Sequence, residues 1–117
     1  MQVAPPKETV EFAALGALDI RVGTILSVAD VEGSRKLVQL QVDLGFAVRT
    51  VVVGMKQERE NPSEIVGQQA LFVVNFAPQV MAGVMSEAML FDIGYEDKIT
   101  PVLAQPERSV PNGTRVG

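Results

Sequence analysis

Cysteine and histidine are both absent from this chain of 117 residues. Without thiols there is no disulfide framework and no thiolate metal site. Without imidazole the usual general base and the commonest metal ligand are missing as well. Most nucleophilic triads and zinc chemistries then have nothing to build on, so neither catalysis nor a resident metal or cofactor is expected. Positive charge is scarce: ten Lys and Arg stand against fourteen Asp and Glu, a net charge of -4. That is the wrong sign for a protein held to nucleic acid by bulk charge alone. Long apolar runs are missing too, since a stretch such as Ala70 to Val74 falls far short of the ~20 residues of a membrane-spanning helix. The opening MQVAPPKETVEF lacks the basic-then-apolar order of an export signal. The expectation is a soluble, cytoplasmic chain with no membrane insertion.

What is present is a 47% apolar composition, enough for one core and hence one domain. Charge is unevenly spread. From Asp19 to Glu60, Arg21, Arg35, Lys36, Arg49, Lys56 and Arg59 balance the acids, whereas only Lys98, Arg108 and Arg115 follow Asn61. Any basic face must come from the first half. Residues 1–8, with two prolines, read as a loose arm. Thr9 is expected to cap a short helix running to about Leu15, with Phe12 and Leu15 buried and Gly16 ending it.

The period then changes. DIRVGTILSVADV sets Ile20, Val22, Thr24, Leu26 and Val28 at alternate positions, which points to a strand, and Gly23 within it marks a sharp bend or bulge. KLVQLQVDL alternates again, with Val38, Leu40, Val42 and Leu44 inward and Gln39, Gln41 and Asp43 outward. A short turn at Gly45 and Phe46 leads into a third strand, VRTVVVGM, and so makes a hairpin. In NPSEIVG, Asn61 can cap, Pro62 suits the first helical position, Glu64 can reach back to the cap, and Gly67 stops the helix. QALFVVNF supplies a fourth strand and SEAMLFDI a fifth. Three strands, a short helix and two strands spell a five-stranded OB-fold barrel; the rival SH3-like barrel has no natural place for that capped helix. Residues 94–117 exceed what five strands need and are expected to pack outside the barrel as a β extension.

Methionines at 81, 85 and 89 repeat at helical spacing, yet a helix there would hold Gly83 in its interior and lack a cap. A strand with Met85 and Met89 on one face, after a loop holding Met81, fits better. Core filling is the plainest use of these side chains, because Met packs irregular gaps readily. Asn75, just ahead of the turn at Pro78, could offer an amide to a ligand or tie the loop backbone. Ser86 could donate to a phosphate or ribose, or cap a strand end. Met89 could lie against an unstacked base or in the core. Arg35, Lys36 and Arg49 border the usual binding surface of an OB-fold and are the candidates for phosphate contacts.

LDIRVGTI, the turn ending RKL, VDLG, VVVGM, VGQQ and above all NFAPQVMAGVMSEAMLF resemble the tRNA-binding domain family. That family includes the C-terminal domain of methionyl-tRNA synthetases, stand-alone dimeric tRNA-binding proteins and the secretion chaperone CsaA, whose tail the ending PERSVPNGTRVG resembles. Asn75, Pro78, Gly83, Ser86, Glu87 and Met89 match the family's loop pattern; Ala77, Gln79, Val80 and Ala88 depart from it. The resemblance implies a non-catalytic homodimer that recognises tRNA by shape, with residues from about 94 to 117 forming the dimer interface. Arg35, Lys36, Arg49, Asn75, Gln79, Ser86 and Met89 make up the implied site. The partners implied are tRNA, a second copy and an aminoacyl-tRNA synthetase. The alternative is a CsaA-like chaperone that binds unfolded preprotein or peptide.

Overall fold

Strand β1 spans Ile20–Asp30, β2 Val38–Asp43 and β3 Val48–Val53 in the computed structural model, which describes residues 2–117. Met1, the head of the expected arm, lies outside the described residues. β2 follows its sequence pattern without a break. Val38, Leu40, Val42 and, just beyond it, Leu44 are fully buried in one core cluster, while Gln39, Gln41 and Asp43 face outward. Each β2 residue has a partner on both sides and the extra residue of the β1–β2 ladder lies in β1, so the two-residue period of β2 stays in phase.

β1 departs from the expected phase. Its register against β2 shifts between Ile25 and Ser27, so Leu26 is an extra residue in the ladder and stands 46% exposed. A bulge inverts which face points inward. Before it the barrel interior takes Gly23 and Ile25; after it Val28 packs on the core. Ile20, Val22 and Thr24 therefore lie on the outer face, the reverse of a simple alternate-residue reading, with Ile20 and Val22 still buried there. Gly23 marks close approach: a Cβ at this position would stand 2.7 Å from Val42 Cγ1 and 2.8 Å from Leu44 Cδ2. Its partner across the ladder is Ala70, so two small residues let the strands cross tightly.

A 3₁₀ helix covers Pro62–Ile65, with the Asn61 side chain accepting from the Ser63 amide. Glu64 does not close a capping box; its carboxylate pairs with Arg59 at 2.6 Å instead. β4 (Gln69–Val73) follows. The predicted loop around Met81 is itself a hairpin of β5 (Gln79–Met81) and β6 (Val84–Ser86), turned by Ala82 (φ +49°) and Gly83 (φ +81°). Two consecutive left-handed residues match the right-handed twist of the flanking strands. β7 (Met89–Leu90) completes a sheet ordered β3-β2-β1-β4-β7.

The two edges of that sheet meet, and side chains do part of the closing. The Glu87 amide donates to Thr50 O (2.8 Å), the Thr50 amide to the Glu87 carboxylate (3.0 Å) and the Val52 amide to Ser86 Oγ (3.0 Å). The result is an OB-like barrel with a short helix between its third and fourth strands.

Beyond it, β8 (Asp92–Ile93) pairs with β9 (Val102–Leu103). The tail then runs along the part of β1 that β2 leaves unpaired. Val22 N donates to Thr114 O, Gly113 N to Val22 O and Val116 N to Ile20 O.

One expected element is much reduced. The N-terminal helix is a single turn, Ala13–Gly16, with Phe12 rather than Thr9 at its N-cap position and no capping side chain. Phe12 (91%) and Leu15 (56%) are exposed rather than buried. A lone turn without a packing partner has little to propagate it.

Candidate nucleic-acid interface

At one end of the β2–β3 hairpin, Phe46 stands 51% exposed with two guanidiniums over its ring, Arg49 at 5.1 Å and Arg21 at 5.5 Å from the centroid. Both distances fall within cation–π range. The two arginines differ in what remains open. Arg21 is engaged by the Asp19 carboxylate through Nε and Nη2 and by Gly113 O through Nη1. Arg49 has no carboxylate partner among the described residues. Its Nη1 donates to Val74 O (2.7 Å) and Glu87 O (3.3 Å), which fixes the plane and leaves Nε and Nη2 as donors. A held guanidinium with open donors beside an exposed ring can take a phosphate and an unstacked base together.

The other end of the same hairpin borders a cavity of about 930 Å³. It lies against Lys36 and Leu37, the stretch after β3, the β5–β6 hairpin and β7–β8. Phe76, Met89 and Tyr95 present apolar surface to it and are themselves exposed by 48%, 44% and 68%. Glu58 and Asp92 also line it. Burial pushes both carboxyls above their ordinary values; at Glu58 the Asp92 charge adds to the shift and Arg59 opposes it.

Of the seven residues singled out from sequence, Lys36, Gln79, Ser86 and Met89 come together around this cavity. Arg49 lies at the far end of the hairpin. Val42 is its partner there, whereas Val38 pairs with Val53 at the Lys36 end, and four strand residues span about 13 Å. Arg35 is exposed in the β1–β2 turn. Asn75 ties backbone, though not that of its own loop: Oδ1 accepts from Asp19 N (2.8 Å) and Nδ2 donates to Ala17 O (2.9 Å). Ser86 is 7% exposed, and its hydroxyl is spent on Val52 N and Ala88 O (3.1 Å). Core filling is not the role of Met85 or Met89, which are 48% and 44% exposed. The alternation that turns Ser86, Ala88 and Leu90 inward turns these methionines out.

Residues 20–115 match the sequence profile of the tRNA binding domain. The chain belongs to that family. Among relatives of this tRNA binding domain, a methionine–tRNA ligase from Parabacteroides distasonis is 38% identical over 112 residues, covering 96% of this chain and 16% of the ligase. The chain thus spans about a sixth of that relative. Among solved structures, a MetRS-related protein from Pyrococcus horikoshii aligns with a TM-score of 0.86 at 31% identity, covering 95% of this chain and all of that one. The chaperone CsaA from Bacillus anthracis aligns at 0.81 and 28%, covering 94% and 100%. Within the domain, sequence reasoning passed over Arg21 and Phe46. Their signals were an arginine inside an otherwise apolar strand and an aromatic residue in a two-residue turn. Glu58 and Asp92 gave no signal of their own, because only the barrel's closure brings them to one cavity.

Proposed function

We propose that this chain is a non-catalytic tRNA-binding module that acts as a homodimer in the cytoplasm and reads tRNA by shape rather than by base sequence. The observation that carries this reading is Arg49, held by two carbonyls with donors to spare, beside exposed Phe46. Membership of the family and the similarity to methionine–tRNA ligases support it, and a synthetase is the natural protein partner. Arg35 and Lys36 add phosphate contacts from the β1–β2 turn, Gln79 and Met89 polar and apolar contacts from the hairpin side. With Asn75 and Ser86 engaged by backbone, their part is to hold the site's frame.

An acidic monomer with so few cations binds weakly, whereas two copies on one RNA gain about 10²-fold or more from linkage. Ile93, Ile99 and Val102, all exposed on the extension after β7, are the surface for that second copy. Residues 9–117 then act as one domain, with 94–117 as its dimerisation extension. Fluorescence anisotropy with labelled tRNA at two salt concentrations tests the RNA site. Arg49→Ala lowers the affinity and flattens the log–log salt slope by about one contact, and Phe46→Ala costs about 1–3 kcal/mol; an unchanged slope and affinity in both refute it. Light scattering of Val102→Glu tests the dimer, which should dissociate.

A second reading is favoured by the cavity. Its apolar rim of Phe76, Met89 and Tyr95, with the similarity to the chaperone CsaA, supports binding of unfolded polypeptide. Unfolded preprotein or short apolar peptides are its test ligands.

A further inference from the structure

The cavity beside β7 carries a charge pattern that neither a polyanion nor a purely apolar ligand would use. Glu58 and Asp92 both line it, both are half-buried, and neither makes an ion pair or a side-chain hydrogen bond among the described residues. The nearby cation offsets Glu58 only in part, because the Arg59 guanidinium is held by Glu64 at 2.6 Å. Lys36, which also lines the cavity, is exposed in the β1–β2 turn, and its ammonium makes no ion pair among the described residues. Two carboxylates of like charge, partly stripped of water, raise each other's free energy, and a cation entering between apolar walls relieves both.

The volume, about 930 Å³, is at the upper end of the ~300–1,000 Å³ usual for ligand sites. It has room for an apolar side chain and a long cationic one together. A phosphate would instead meet two negative charges, which separates this cavity from the Arg49–Phe46 end of the barrel.

We infer that the cavity is a docking site for an extended polypeptide segment in which a lysine or arginine lies beside apolar side chains, its cation held by Glu58 and Asp92. This rests on the polypeptide-binding reading above and adds a charge requirement to it. The walls for the apolar part are Phe76, Met89 and Tyr95; the two carboxylates give the specificity.

The experiment uses the full chain and three fluorescein-labelled peptides of one apolar sequence with Lys, Gln or Glu at the centre. The Lys peptide should bind about tenfold more tightly than the Gln peptide, with the Glu peptide weaker still. The double substitution Glu58→Gln, Asp92→Asn should erase that ranking while leaving the circular dichroism and tRNA affinity as in the parent. Equal binding of all three peptides, or a ranking that survives the double substitution, overturns the charge requirement and leaves the polypeptide reading standing. Absence of any peptide binding overturns both. If the double substitution changes tRNA affinity while none of the three peptides loses or gains binding, the cavity serves nucleic acid and the inference falls.

Discussion

Ser86→Ala separates a structural hydroxyl from a ligand-binding one. The Ser86 hydroxyl accepts from the Val52 amide at 3.0 Å and donates to Ala88 O at 3.1 Å, with Val52 5% and Ser86 7% exposed. Removing Oγ leaves the Val52 N–H at the barrel seam without its acceptor. An unsatisfied buried donor costs about 1–3 kcal/mol. Ala88 O is only half-buried and can turn to solvent, so the Val52 amide sets the total at about 2 kcal/mol. For a chain of this length that lowers the thermal midpoint by about 8 °C. The denaturant midpoint should fall with an unchanged m-value, because the barrel still unfolds as one unit. At a temperature where the variant is fully folded, its tRNA affinity should equal the parent's. A variant with unaltered stability and weakened tRNA binding would refute the reasoning and return the hydroxyl to the interface.

Gly23→Ala places a methyl 2.7 Å from Val42 Cγ1 and 2.8 Å from Leu44 Cδ2, inside a core with no slack. It should destabilise by about 1–3 kcal/mol in chemical denaturation, as overpacking does, while Gly16→Ala, which meets nothing within 4 Å, serves as its control. The cavity carboxylates make the stability depend on pH. Burial raises Glu58 and Asp92 above their ordinary values of 4.5 and 3.8, so folding disfavours their ionised forms. The penalty is fully present above the raised values and disappears as pH falls below the ordinary ones. Thermal melts should therefore find Glu58→Gln, Asp92→Asn more stable than the parent at pH 7 and equal to it near pH 3; a difference that does not shrink on acidification contradicts this.

The sequence by itself determined the pieces whose physics is local. β2 reads correctly from Val38 to Leu44 because it holds no inserted residue, the Asn61–Pro62 helix start is legible because a cap needs only neighbouring residues, and the stretch from Asn75 to Leu90 resembles its family in residue order alone. Tertiary structure decided the rest. An extra residue at Leu26 inverted the facing of β1, since period-two patterning holds only until a bulge resets it. The meeting of β3 with residues 86–87 turned Ser86 into a seam hydroxyl. It also gave the Arg49 guanidinium the Glu87 carbonyl that helps hold it at one end of the barrel, while Glu58 and Asp92 came to the cavity at the other. Residues so distant along the chain share an environment only when the barrel closes, and no spacing along the chain encodes that closure.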